Sequence, residues 1–167
     1  MLKYLPILFI LFSPIQLTAQ QTKTEYPKTV GYLSIVHPIV SVYQNETIYN
    51  FKNDYTVGFP VGINILKSDK FGFSFEVTPF IKSVNGKTTV SNFLFHPGII
   101  LRYPKGFSIN NRLAFETSGR FGYTAVFSKI IVKRPMNNYF IAMPVPFRFG
   151  NNKSASVGVG IQLGITF

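Results

Sequence analysis

Cysteine is absent from the 167 residues. That excludes a disulfide framework and any thiolate metal site. Tryptophan is absent too, and charged residues make up only 14% of the chain. Acidic residues are scarcest, six against seventeen Lys and Arg, for a net charge of +11. Long hydrophobic runs are also missing. The apolar run near the N-terminus, Tyr4 to Phe12, is about half the roughly 20 residues that a membrane-spanning helix needs. No later stretch holds an apolar 3.6-residue period, so nothing supports a helix. Histidine occurs twice, at His37 and His96, without metal-ligand spacing. What the chain has in quantity is aromatic side chains, eighteen Phe and nine Tyr.

The clearest pattern closes the chain. From Ala155 to Phe167 every odd position is apolar, and every even position is Ser, Gly, Gln or Thr. A β-strand sends alternate side chains to opposite faces, so one face is greasy and the other small and polar. With its terminal Phe167, this stretch resembles the closing strand of bacterial outer-membrane β-barrels, in which the last aromatic serves as an assembly signal. The whole chain is similar in pattern to the small eight-stranded barrels of the OmpA, OmpX and OmpW type. That resemblance implies insertion by the barrel-assembly machinery, a location in the cell outer membrane among lipid and lipopolysaccharide, and a monomer. It carries over no functional residue.

Lys3, the short apolar run and the polar stretch from Ser13 to Gln20 read as a signal peptide over 1–19, cleaved after Ala19. Residues 20–28, with Pro27, form a periplasmic lead-in, and 29–167 form the barrel. Eight strands are expected. The first, Thr29 to Val42, is blurred in phase, and Pro38 implies a bulge. The second alternates from Tyr55 to Ile65, straight through Pro60, and the third from Phe71 to Ile81. The fourth runs from about Asn92 to Tyr103 and the fifth from Phe107 to about Thr117. The sixth runs from Phe121 to about Val132, with its phase uncertain near Lys129. The seventh has Tyr139 to Phe149 on one face, and the closing strand follows. At about 10 to 14 residues each, these exceed the soluble average of about 5 to 6 and suit the roughly 9 to 11 needed to cross a membrane.

Strand parity places Tyr43–Asp54, Lys82–Asn92, Ser118–Arg120 and Gly150–Lys153 outside the cell. It places Lys67–Lys70, Pro104–Gly106 and Lys133–Asn137 in the periplasm. A turn at Asn85-Gly86 is expected within the second outer loop, and Gly106 suits the left-handed position of a bulged hairpin. The fold class is therefore all-β: an eight-stranded antiparallel up-and-down transmembrane β-barrel after a cleaved signal peptide. An eight-stranded interior is narrow enough for side chains to fill.

The inward set includes Asn64, Glu76, His96, Arg102, Asn110, Arg112, Glu116, Arg148 and Gln162. Unpaired buried charge is costly, so a lumen polar network is expected among Glu76, His96, Arg102, Arg112, Glu116 and Arg148. The Pro104–Gly106 hairpin sets Gly98 opposite Arg112, and a symmetric register across the third and fourth strands sets Glu76 opposite Gly98. Glu76 and Arg112 then meet across that gap, while Glu116 and Arg148 pair near the outer rim, with Arg120 beside them.

His96 can pair with Glu76 or Glu116, with Ser74 or Ser108 nearby, but no catalytic serine geometry is fixed. No catalytic residue, cofactor or metal ligand is assigned. Lipid A modification occurs among small outer-membrane barrels, but no motif for it is matched, so the chain is read as non-enzymatic. Gly158, Gly160 and Gly164 lack the dinucleotide spacing and a following helix, and are small lumen residues. The positive charge is scattered singly along an exported chain, which argues against nucleic acid and for solvated loop lysines beside lipopolysaccharide phosphates. The expected role is structural or interactive. The alternatives are a narrow channel or transport barrel and a secreted lipocalin-like barrel. The last requires an apolar interior.

Overall fold

The computed structural model describes residues 25–44, 46–52 and 54–167. The signal peptide expected over 1–19 and most of the lead-in lie outside the described residues. Ten strand segments follow in order: β1 Lys28–Tyr43, β2 Thr47–Tyr49, β3 Asp54–Gly58, β4 Val61–Leu66, β5 Phe71–Val84, β6 Lys87–Tyr103, β7 Phe107–Glu116, β8 Phe121–Lys133, β9 Asn138–Phe149 and β10 Ser156–Thr166. All pairings are antiparallel, and β10 returns to pair with β1. β3 and β4 together form one stave, and β2 pairs only with β1, so the ring has eight staves.

Closure is continuous from Tyr32↔Thr166 to Tyr43↔Ser156, apart from a bulge between Pro38 and Val40. Past the last pair, Phe167 and Gly31 exchange both backbone hydrogen bonds, at 2.9 and 3.0 Å. The Phe167 ring lies over Gly31, where an added Cβ would stand 2.6 Å from it. The glycine thus makes room for the aromatic that finishes the seam.

Alternation decides what faces where. Side chains such as Leu33, Ile63, Phe73, Phe95 and Ile141 stand exposed around the outside, with Leu113 56% accessible. Ser74, Glu76, His96, Arg112, Thr124 and Arg148 are buried inside. A soluble ligand-binding barrel has the opposite arrangement, so the lipocalin-like alternative is overturned. An apolar belt this extensive is stable only against lipid. A closed ring is also what the hydrocarbon layer demands, because every backbone group must be paired within the protein. The protein is a transmembrane β-barrel.

Several expected details are corrected. The second stave is not one unbroken strand: it is interrupted at Phe59-Pro60, because proline has no N–H for the ladder. The register against β5 nonetheless carries across the break, from Gly58↔Phe80 to Val61↔Val77. Lys82–Asn92 is not a loop. β5 and β6 continue pairing to Val84↔Lys87, turning on Asn85 and Gly86 with φ of 48° and 76°. This hairpin projects beyond β7, whose pairing with β6 ends at Leu94↔Glu116, while β3 follows it up to Asp54↔Val84. The first outer loop holds β2, laid against the top of β1. Pro38 produces the expected bulge, and the irregularity expected near Lys129 falls between Ile130 and Val132.

An even number of staves puts β1's start and β10's finish at one end, here called the turn end, with the short connections 67–70, 104–106 and 134–137. The projecting hairpin and the first loop mark the opposite, loop end.

Candidate functional site

The lumen is crossed at mid-height by one continuous chain of buried polar groups. Arg112 on β7 is its anchor. Its Nη1 donates to Glu76 Oε2 at 2.8 Å, its Nη2 to the Tyr32 hydroxyl at 2.8 Å, and both Nε and Nη2 to Ser74 Oγ, at 3.1 and 2.9 Å. The Tyr32 hydroxyl in turn donates to Glu76 Oε2 at 2.7 Å. Thr78 donates to the other carboxylate oxygen at 3.2 Å, and His96 Nδ1 lies 3.1 Å from it.

His96 extends the chain. Its Nε2 lies 3.3 Å from Arg148 Nη2 and 3.1 Å from the Thr124 hydroxyl. A guanidinium only donates, so Nε2 accepts and the proton sits on Nδ1, directed at Glu76. Arg148 then reaches Glu116 Oε1 at 2.6 Å, and Ser118 donates to Glu116 Oε2 at 2.9 Å. Two carboxylates and two guanidiniums balance, with a neutral imidazole between them. Such charge-assisted bonds are the strong ones in a dry interior.

The backbone is shaped to admit these groups. Gly98 faces Arg112 across the β6–β7 ladder, and a Cβ there would stand 2.2 Å from the Asn111 carbonyl oxygen. Gly62 faces Tyr32 on the neighbouring stave, where a Cβ would meet the phenol at 2.4 Å. Each glycine sits beside a large lumen side chain.

The structure therefore brings together Glu76, His96, Arg112, Glu116 and Arg148. Arg102 stands apart, near the turn end, in a separate cavity with Tyr26 and Asp69. The register expected for Glu76 is off by two residues: Glu76 pairs with His96, and Ser74 pairs with Gly98. Gly98↔Arg112 stands as expected. Arg120 does not bond the Glu116 carboxylate. Its Nη2 donates to the carbonyls of Arg148 and Ser154 and to Ser156 Oγ, each at 3.1 Å, and its guanidinium lies 5.6 Å from the Tyr43 ring centre.

Tyr32 and Thr124 belong to the network although sequence reasoning does not single them out. Tyr32 shares a phase with Val36, a signal present in β1 but blurred by the Pro38 bulge. Neither Ser74 nor Ser108 hydrogen-bonds His96, whose nitrogens are taken by Glu76, Thr124 and Arg148. His37 faces outward, where it contacts Tyr55 at 3.1 Å and stacks near Phe51.

This septum divides the lumen. Toward the loop end lies a small cavity of about 70 Å³ beside Thr78, His96 and Arg148. Toward the turn end lies a larger one of about 270 Å³. At the larger cavity's mouth the Tyr26 hydroxyl donates to the Asp69 carboxylate. That bond pushes the Tyr26 phenol up from its ordinary value, while Arg102 opposes the shift.

No protein-family description matches the chain, and no curated protein matches it. Among solved structures it is similar to a de novo designed transmembrane β-barrel, at 13% identity and TM-score 0.49 over 87% of this chain and 98% of that one. A second design, TMB2.3, solved by solution NMR, gives 10% and 0.47 over 84% and 93%. The attachment invasion locus protein Ail of Yersinia pestis, in complex with the heparin analogue sucrose octasulfate, gives 10% and 0.44 over 83% and 98%. The fold rests on the strand pairing and the lipid-facing belt rather than on these likenesses.

Proposed function

We propose that the protein is an outer-membrane β-barrel with a structural or interaction role, its lumen sealed rather than conducting. The observation that carries this reading is the buried chain Tyr32–Arg112–Glu76–His96–Arg148–Glu116, which spans the interior and satisfies its own charges. In this orientation the turn end faces the periplasm and the loop end the exterior. Lipopolysaccharide phosphates are the neighbours of the outer lysines, such as Lys52 and Lys87. The seam residue Phe167 is the signal read by the barrel-assembly machinery, and the barrel works as a monomer.

A narrow transport barrel is the second reading, favoured by one observation: cavities lie on both sides of the septum, and its opening would join them. The outer-membrane barrel reading, common to both, is tested by fractionation and gel mobility, and the seal by conductance. The protein is expected in the outer-membrane fraction and shifts its SDS mobility only on boiling. Recovery in the periplasm or medium, without a shift, would overturn it.

A further inference from the structure

The wall between β9 and β10 is unzipped at its middle. Their ladder runs from Thr166↔Asn138 to Gln162↔Ala142 and resumes only at Val157↔Phe147. The register is the same on both sides of the break, so 143–146 lie beside 158–161 without pairing. Pro144 and Pro146 are the cause, since proline has no N–H to donate. On its other side β9 pairs with β8 straight through both prolines. A strand bonds its two neighbours with alternate residues, so the missing donors are those directed at Gly160 and Gly158 of β10. Each of these pairs keeps at most one of its two bonds. On the other flank of the same glycines, the β10–β1 ladder bulges at Pro38. Pro97 breaks the β6–β7 ladder as well, but only over 96–97, where the septum fills the interior. The β9–β10 break is the longest in the ring among the described residues.

Directly behind this break lies the loop-side cavity of about 70 Å³, lined by both prolines and both glycines. The Pro144 ring lies over Gly160 and the Pro146 ring over Gly158, where an added Cβ would stand 3.2 and 3.4 Å from them. Two proline rings therefore shut the seam, and no side chain of Gly158 or Gly160 latches it from within. Val36, Phe80, Leu94 and Val126 continue a wall that is mostly carbon. The polar floor, Glu76, His96 and Arg148, is already hydrogen-bonded within the septum. On the outer side Met143, Val159 and Ile161 stand exposed in the lipid-facing belt. A carbon-walled cavity is thus separated from hydrocarbon by the most weakly bonded stretch of the ring.

We infer that the β9–β10 seam is a lateral port, through which the end of one lipid acyl chain enters the loop-side cavity. Parting the strands here breaks few backbone bonds. The chain leaves one apolar surrounding for another and gives up no hydration. The cavity has the liquid volume of about two waters, so it takes the last carbons of a chain and excludes a headgroup. The septum beneath stops the chain from crossing the barrel. The inference needs the barrel in a bilayer and neither of the roles proposed above.

The test uses the full chain in phosphatidylcholine vesicles doped with a phosphatidylcholine that carries a diazirine at the end of one acyl chain. Photolysis and peptide mapping then show where the chain end has been. Adducts are expected on the outer face, at Met143, and also at Leu94 and Val126, which are 3% exposed and face the cavity. The chain has no cysteine of its own, so a disulfide can be placed across the seam. Val145 and Val159 face each other in the register as a non-hydrogen-bonded pair, the kind with Cα atoms about 4.5 Å apart, within disulfide range. Val145→Cys with Val159→Cys, oxidised, should lose the adducts at Leu94 and Val126 and keep the outer ones, and reduction should restore them. Pro144→Ala with Pro146→Ala returns the missing donors and should diminish the inner adducts while the barrel keeps its boiling shift. No inner adducts in the unaltered protein would overturn the inference. Inner adducts undiminished in the oxidised barrel would also overturn it, since the chain end would then be entering from the loop end, and so would inner adducts undiminished in the folded proline variant.

Discussion

Glu76 accepts from Arg112, Tyr32, Thr78 and His96, so its charge is the one the septum is built around. Removing one partner of a buried ion pair strands the other, at a cost of about 3–5 kcal/mol. Glu76→Gln should therefore lower unfolding stability by about that amount in urea titrations of the vesicle-refolded barrel. Replacing both partners removes the stranded charge. Glu76→Met with Arg112→Met should recover most of the loss, and a double variant less stable than either single one would refute this view of the septum. Individual lumen residues are largely legible in the sequence, because a charged side chain on a lipid-crossing strand has only the interior to occupy. Tyr32 is not, since tyrosine suits either face and the Pro38 bulge hides β1's phase. Arg102 lies on the expected face but outside the expected group, because alternation fixes the side of a strand and not the height of a partner.

At the level of elements, hairpin geometry sets which residues meet. The tight Pro104–Gly106 connection leaves β6 and β7 little freedom, and Gly98 falls opposite Arg112 as that turn requires. The β5–β6 register differs by two residues from the expected one for an equally local reason. Pairing continues up to the turn at Asn85-Gly86 instead of stopping at Lys82, and a bulge at Ser91 on β6, opposite the step from Phe80 to Ile81, changes the count. Polar composition at Lys82–Asn92 reads as loop, yet a hairpin clear of the membrane can be polar on both faces. Two glycines on this hairpin and its strands should then differ sharply. Gly98→Ala forces a methyl into the Asn111 carbonyl and should greatly reduce the yield of boiling-shifted barrel. Gly86→Ala has open space around it and only its left-handed backbone to strain, at about 1–2 kcal/mol, so its barrel should form normally. Equal yields from the two would contradict the close β6–β7 approach.

Over the whole molecule, the inverted distribution of polarity defines the environment. Leu113 stands exposed on the outer face, next to Arg112 at septum height. Leu113→Arg should cost about 2–4 kcal/mol in vesicle refolding, the penalty for a cation at the bilayer midplane, whereas in a water-facing barrel it would cost nothing. This level is the most legible in the sequence, because alternation sustained over ten or more residues, as from Tyr55 to Ile65, is what a two-faced strand long enough to cross a membrane produces. The division of the lumen is not legible there, since it depends on how far each side chain reaches across the ring. The most direct test of the central claim, a lumen sealed by its own ion pairs, is conductance of the purified barrel in a planar bilayer. The unaltered protein should show no discrete open level, and Glu76→Gln should introduce one or raise leak. A steady, discrete conductance from the unaltered barrel, insensitive to Glu76→Gln, would contradict the sealed septum.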